Sequence, residues 1–522
     1  MVGKLTKQPL FAGIYLLFLL LVIVPIGYSF VYVLFFEGSF FETLKLVNGN
    51  TLTLLLSSAT IAAGVAVLST LSGTLLAFLL YKIKTPFASW FKLLLLLPLF
   101  ISPYIWAVAW KDFFYFAFGN SGIISSTGGL IFIHTSIFTP LAMLIVGSGF
   151  RNINSQLEES GLIITDFKNV VLKIIIPLIK PAVASSFVLI FIFSISEFSV
   201  PGFLGIKVFT TEIFTQFSAF YNHSLAVMQS LLLVVVCILL LMSEKKYIAN
   251  APFLSVGSKG NNAVTYKPRY TNAAFLFILF WLGVFVILPP VMLVIQTFGA
   301  GITYFAKAFY LLKSSFVPSI FLSLISAIVI VFAGFNIAFF TKNGEKKSIN
   351  ILLLIAFIVP SVVMGISLIK FYNHPFFNFI YGSYAIIIIG YIAKFLFIAV
   401  KLIENALKKI PDSLDEAAQI AGISLFGRIT KIFLPLTMQT VFTTFIIIFI
   451  FSISELGTTV MVYPPGSELM QVKIFTLSAN ASQSLTSGMS LIVFILILIV
   501  MGVLFLVNKI IKNKKKPIKI YG

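Results

Sequence analysis

The residues in this chain best placed to do chemistry are four glutamates that form two pairs. Glu197 and Glu455 each close a copy of the octapeptide IFIFSISE, 258 positions apart, and Glu158 and Glu416 keep the same offset, each three residues after a serine, Ser155 or Ser413. A carboxylate on a lipid-facing helix costs about 2.5–3.5 kcal/mol at the bilayer centre, so glutamates ending apolar runs belong in a polar interior or an interface. Glu197 and Glu455 are thus candidates to line a pathway for a cation, with Lys394, inside another apolar run, as a counterion. Placement in the interface, with water or a backbone partner, is the plainer alternative. The S-x-x-E spacing is that of a capping box at a helix start. In the second copy Leu414 to Ala421 reads as a short helix that Gly422 can end with a left-handed residue; Ser424 caps the next helix, which Pro435 interrupts near the membrane. In the first copy Asp166 stands at the second cap. No catalytic triad, glycosidase-like carboxylate pair or G-x-x-x-x-G-K-[ST] phosphate cradle occurs. His134, His223 and His374 lie in separate segments and Cys237 stands alone, so no metal-ligand spacing is present.

The elements that must hold these groups are membrane helices. Of the 522 residues 59% are hydrophobic and 10% charged, with a mean hydropathy of +1.09, values that a water-soluble core of this size does not need. Apolar stretches near the length of about 20 residues that crosses the hydrocarbon occur around 11–35, 52–80, 88–109, 129–149, 178–199 and 225–242. They recur around 273–297, 317–340, 350–369, 382–400, 437–454 and 488–508. The expectation is an all-α polytopic membrane protein of about twelve spans, duplicated as residues 1–242 and 272–522, joined by a linker over 243–271. The linker holds Gly257, Gly260, Asn261, Asn262 and Pro268 without apolar period and reads as a flexible tether. The first run is too long for a secretory signal and lacks an A-x-A site, so it reads as a retained anchor.

Lys and Arg near span ends stay on the cytoplasmic side. With both termini inside, the inner segments collect most of the 36 basic residues, including Lys82, Lys84, Lys92 and Arg151 in the first half and Lys401, Lys408, Lys409 and Arg428 in the second. The net charge of +20 is then explained by topology and anionic headgroups of the lipid bilayer, without nucleic acid. Six spans per half make the repeat parallel, so both S-x-x-E loops share the cytoplasmic face.

With those residues in place, the chain resembles the integral-membrane permeases of binding-protein-dependent ABC importers, whose cytoplasmic loop carries E-A-A-x-x-x-G. Glu416, Ala417, Ala418 and Gly422 match that signature; the first copy keeps Glu158 but has Glu159, Ser160 and Ile164 at the other positions. The chain looks most like fused two-module permeases associated with ferric iron, a group similar in layout to thiamine, polyamine and phosphonate permeases. The resemblance implies two parallel six-helix modules in a bacterial cytoplasmic (inner) membrane, a type I importer fold and no enzyme activity or cofactor in this chain. It implies as partners two copies of a cytoplasmic ATPase, which hydrolyses the ATP and is gripped by segments containing Ser155, Glu158, Glu159, Ser413, Glu416, Ala417, Ala418 and Gly422. An extracytoplasmic solute-binding protein, docked on the turn-rich loops after Glu197 and Glu455, is implied on the other side. The alternative class is a secondary transporter driven by an ion gradient, with Glu197, Glu455 and Lys394 carrying the coupling ion.

Overall fold

The computed structural model describes residues 9–35, 49–243, 265–266, 271–342 and 347–514; the tether residues Gly257, Gly260, Asn261, Asn262 and Pro268 lie outside them. Among the described residues the chain is helical, without strands beyond one isolated bridge between Ile83 and Tyr266. The first half runs α1 (Phe11–Phe35), α2 (Gly49–Tyr81), α3 (Ala88–Phe100), α4 (Pro103–Phe118), α5 (Thr127–Arg151), α6 (Ser155–Ile164), α7 (Phe167–Ser196), α8 (Ser199–Leu204), α9 (Phe209–Ser218) and α10 (His223–Met242). The second half repeats the order as α11 (Thr271–Gly299), α12 (Ile302–Thr341), α13 (Ser348–Ile358), α14 (Ser361–Tyr372), α15 (Ala385–Leu407), α16 (Asp412–Ile420), α17 (Leu425–Ser454), α18 (Thr459–Val462), α19 (Met470–Ser478) and α20 (Gln483–Val503).

Ten of these helices are long and apolar enough to cross a bilayer, and the number reaches 12 when each of two bent pairs counts as one span. The spans expected at 88–109 and 350–369 are those pairs, with α3 and α4 meeting at 98° and α13 and α14 at 102°. Proline is the cause: Pro103 and Pro360 lack an N–H, and their rings push the preceding residue toward extended backbone. A bend frees carbonyls that cannot stay unpaired in hydrocarbon. The Ser454 hydroxyl donates to Phe100 O at 3.3 Å and the Lys394 ammonium to Val359 O at 2.8 Å.

Other prolines are carried inside helices, and four of them share one device. Pro25, Pro177, Pro289 and Pro435 each stand two residues after a π turn, at Leu19–Ile23, Val171–Ile175, Gly283–Ile287 and Ile429–Phe433. The wider turn skips the hydrogen bond that proline cannot donate and makes room for its ring. Pro435 therefore does not interrupt the helix after Ser424, as the sequence suggested; Leu425–Ser454 is one continuous span.

The halves exchange their first spans. Helix α1 packs on α14 of the other half, where Ser29 Oγ lies 3.0 Å from Ser367 Oγ, Tyr28 meets Phe371 edge-on at 5.4 Å, and the Tyr372 hydroxyl donates to Leu21 O at 3.1 Å. Reciprocally α11 packs on α3 and α4 through Phe275 on Phe91 at 5.8 Å and Phe285 on Trp110 at 6.1 Å. Within each half, the second and fourth spans touch at a glycine. A Cβ at Gly73 would lie 2.3 Å from Ala142 Cβ and 2.8 Å from the backbone of Met143, and one at Gly334 would lie 2.9 Å from Ala399 Cβ. Small residues bring backbones together where lipid supplies no hydrophobic drive between helices. Gly73→Ala is expected to destabilise the purified chain by about 1–3 kcal/mol through overpacking, read as a lower Tm in detergent. Gly64→Ala on the same helix, where the nearest neighbour is Ile131 at 3.5 Å, is expected to leave it unchanged.

Candidate coupling helices and outer chamber

The second S-x-x-E loop is held at both ends by its own backbone. Helix α16 begins at Asp412 after Pro411 at the N-cap, with no side-chain cap, so Ser413 and Glu416 do not form a capping box. Asp412 and Asp415 occupy the first turn instead, where a carboxylate complements the positive end of the helix dipole. Asp415 also takes Arg428 Nη1 at 2.7 Å, and Asp412 lies 3.8 Å from the Lys342 ammonium. At the other end Gly422 has φ +74°. Its N–H donates to Gln419 O and that of Ile423 to Ala418 O, both at 3.0 Å: a Schellman stop, as the sequence suggested. Ser424 then caps the next helix through the Gly427 N–H at 3.2 Å. Ser413, Glu416 and Ala417 are exposed and Ala418 is buried.

The first loop is built differently. Asn154, not Ser155, is the N-cap of α6, accepting from Gln156 N at 3.0 Å. Glu158 is turned away from the helix start, fully buried in an ion pair with Lys82. It also accepts from the Tyr266 hydroxyl at 2.5 Å. A charge-assisted bond in a dry site outweighs the reach-back of a capping box, which is why the expected box is absent. Tyr266 belongs to the linker, and its backbone pairs with Lys82 O and Lys84 N at 2.8 Å, stitching the linker to the first half. Burial and the bond to Glu158 raise the Tyr266 pKa well above that of an ordinary phenol. The helix runs to Ile164 and ends at an extended Thr165, with no left-handed residue. Asp166 stands at the next N-cap, where it takes the Asn169 amide at 2.5 Å. Glu159 is exposed.

The two loops start near each other: Lys409, two residues before Pro411, lies within reach of the charge of Arg151, four residues before Ser155. Each presents bare aliphatic side chains: Ile163 and Ile164 are 86% and 85% exposed, and Ile420 is 88% exposed. Just ahead of the second loop, buried Glu404 holds Lys401 at 2.8 Å and Lys408 at 2.6 Å. That triad was legible as i, i+3 and i+4 charge spacing and was missed; the Lys82–Glu158 pair, 76 residues apart, has no local signal.

On the opposite face Glu197 and Glu455 are spent on backbone. Glu197 accepts from Ser199 N at 2.8 Å, Val200 N at 2.9 Å and the Ser199 hydroxyl, with His134 Nε2 at 3.3 Å. Glu455 accepts from Thr458 N at 2.7 Å, Thr459 N at 3.0 Å and the Thr459 hydroxyl at 2.7 Å. Each carboxylate thus caps the short helix that follows it, α8 or α18. Lys394 donates to the Val359 carbonyl at the α13–α14 bend and makes no ion pair with either glutamate among the described residues, while the Glu455 charge still reaches it. Helices α8 and α18 instead wall a chamber of about 840 Å³ between the halves, where Phe203 and Met461 face Lys111, Tyr221, Tyr381 and Tyr463. Among the described residues no group of three or more His, Cys, Asp or Glu gathers to hold a metal.

Residues 331–515 match the family described as binding-protein-dependent transport system inner membrane component. The Fe(3+)-transport system permease protein FbpB 2 of Haemophilus influenzae is 24% identical over 477 residues, 89% of this chain and 92% of that protein. The ferric transport system permease protein FbpB of Actinobacillus pleuropneumoniae is 22% identical over 93% of this chain and 75% of its own length. A putative 2-aminoethylphosphonate transport system permease protein, PhnV, of Salmonella paratyphi A is 24% identical over 30% of this chain and 58% of its own. With the apolar helices and the duplicated inner loops, these matches support an ABC-type permease of binding-protein-dependent transport, a multi-pass inner membrane protein similar to the ferric permeases.

Proposed function

We propose that the chain is the solute-conducting subunit of an ATP-driven importer, with α6 and α16 as the elements that two copies of a cytoplasmic ATPase grip. The observation that carries this reading is the pair of short helices at equivalent places on one face, each offering aliphatic side chains that have no partner helix of their own. Exposed apolar groups beside polar ones suit a protein interface. The coupling segments are those of Ser155, Glu158 and Glu159 and of Ser413, Glu416, Ala417, Ala418 and Gly422. ATP is hydrolysed by the partner, and this chain carries no cofactor. Both termini lie in the cytoplasm, a reading supported by the basic residues around the two loops.

Solute delivered by an extracytoplasmic binding protein passes through the chamber between the halves, whose walls Glu197 and Glu455 hold in shape by capping α8 and α18. The names and coverage of the relatives favour ferric iron as the solute. A gradient-driven transporter is the weaker reading, since Lys394 is engaged by a backbone carbonyl and both glutamates by N–H groups. In proteoliposomes holding this chain with its ATPase and binding protein, iron uptake is expected to require ATP and to ignore an imposed proton gradient. Uptake driven by the gradient alone would sink the proposal.

The two loops are expected to respond differently to substitution. Gly422→Val places a β-branched residue at φ +74°, where left-handed backbone costs about 1–2 kcal/mol. The last turn of α16 should fray, with pull-down of the ATPase and uptake falling together, while Ile164→Val leaves both intact. Equal tolerance at the two positions counts against the bend as the coupling feature. Glu158→Ala strands the buried Lys82 ammonium and is expected to cost about 3–5 kcal/mol of stability. Glu416→Ala, at an exposed position, should keep the Tm of the chain and lower ATPase recruitment.

A further inference from the structure

We propose that the cavity between the end of α2 and the start of α3, on the face of the coupling loops, binds the phosphate of an anionic phospholipid. The cavity, of about 400 Å³, is lined by Tyr81, Lys84, Thr85, Lys92 and Arg151. Two cations share one ring: the Lys92 ammonium lies 3.9 Å from the Tyr81 ring centroid and the Arg151 guanidinium 5.3 Å from it. Lys84, Lys92 and Arg151 make no ion pair among the described residues, and the nearby Glu158 carboxylate is already taken by Lys82. Like charges gathered this closely repel unless an anion sits among them.

Two polar atoms mark where that anion would lie. Arg151 Nε and Thr85 Oγ1 are both buried with no hydrogen-bond partner. An unmet guanidinium donor is costly in a dry site, and a phosphate oxygen is its best geometric match. The surface beside the cavity is built for acyl chains: Phe87 is 69% exposed and Trp90 53%, at the start of a membrane-entering helix. Aromatic side chains at headgroup depth next to basic residues are the pattern of lipid recognition at an interface, which favours a lipid phosphate over a free one. The backbone of Ile83 and Lys84 pairs with Tyr266, whose hydroxyl reaches Glu158 on α6, so a bound lipid would brace the first loop.

The test uses the purified full-length chain in mild detergent, with binding followed by native mass spectrometry and by Tm. Phosphatidylglycerol is expected to bind and raise Tm, with phosphatidylcholine and inorganic phosphate doing neither. Lys92→Gln with Arg151→Gln should weaken phosphatidylglycerol binding by about tenfold or more, whereas Lys173→Gln with Lys180→Gln, removing equal charge from α7, should not. If the double variant does not fold, Lys92→Gln alone with Thr85→Val serves, with the same loss expected. Equal binding of the two lipids, saturation by inorganic phosphate, or full binding by the variants would each overturn the assignment. None of these readouts depends on transport, so the proposal stands or falls apart from the ATPase reading.

Discussion

The structure depends on one constraint: inside hydrocarbon a backbone N–H or C=O has no water to fall back on, so every break in a helix must bring its own partner. This chain breaks its helices often, and at the bends and the outer returns the partner is present. Where Pro103 and Pro360 bend the third spans, Ser454 and Lys394 donate to the freed carbonyls. Where chain returns across the outer face, Glu197 and Glu455 accept from the first N–H groups of α8 and α18, and buried Ser58 and Ser319 accept from the first N–H of α9 and α19, each at 2.9 Å. Where Pro25, Pro177, Pro289 and Pro435 lie within spans, a π turn absorbs each. The charged and hydroxylic residues of the membrane region are in this sense mostly backbone partners, and the outer chamber is the space their short helices enclose.

The duplication is faithful where this constraint acts and loose where it does not. The serine caps, the glutamate caps and the four π turns recur at equivalent places in both halves. On the inner face, surrounded by water and lipid headgroups, the halves have diverged. The second loop ends in a Schellman stop at Gly422 and leaves Glu416 exposed, whereas the first has no left-handed residue and buries Glu158 under Lys82 and Tyr266. One loop is free to present its acidic face to a partner and the other is tied back to the linker. An asymmetric grip by two identical ATPases is the natural consequence under the proposed function.

Much of this was readable from residues alone. The hydropathy gave the twelve candidate spans, the repeated octapeptide gave the two halves, and Gly422 and Ser424 announced the stop and restart they make. The S-x-x-E boxes misled for two reasons: at Glu158 a buried ion pair formed across 76 residues overrides a local preference worth about a kcal/mol, and at Ser413 the helix has already started at Asp412, behind Pro411. Pro435 misled because a continuous helix can widen one turn instead of ending. Glu197 and Glu455 have the backbone partners that the plainer alternative expects.

What the sequence by itself determined is the class of solution: a duplicated helical membrane chain with paired loops on one face, because composition and period alone decide where a chain can cross a bilayer. What only the tertiary structure decided is who partners whom. The exchange of first spans, the carbonyls held by Ser454 and Lys394, and the Lys82–Glu158–Tyr266 clamp all join residues far apart in the chain. Such pairings arise from three-dimensional proximity and from the cost of an unmet polar group in a dry interior, neither of which has a period along the sequence.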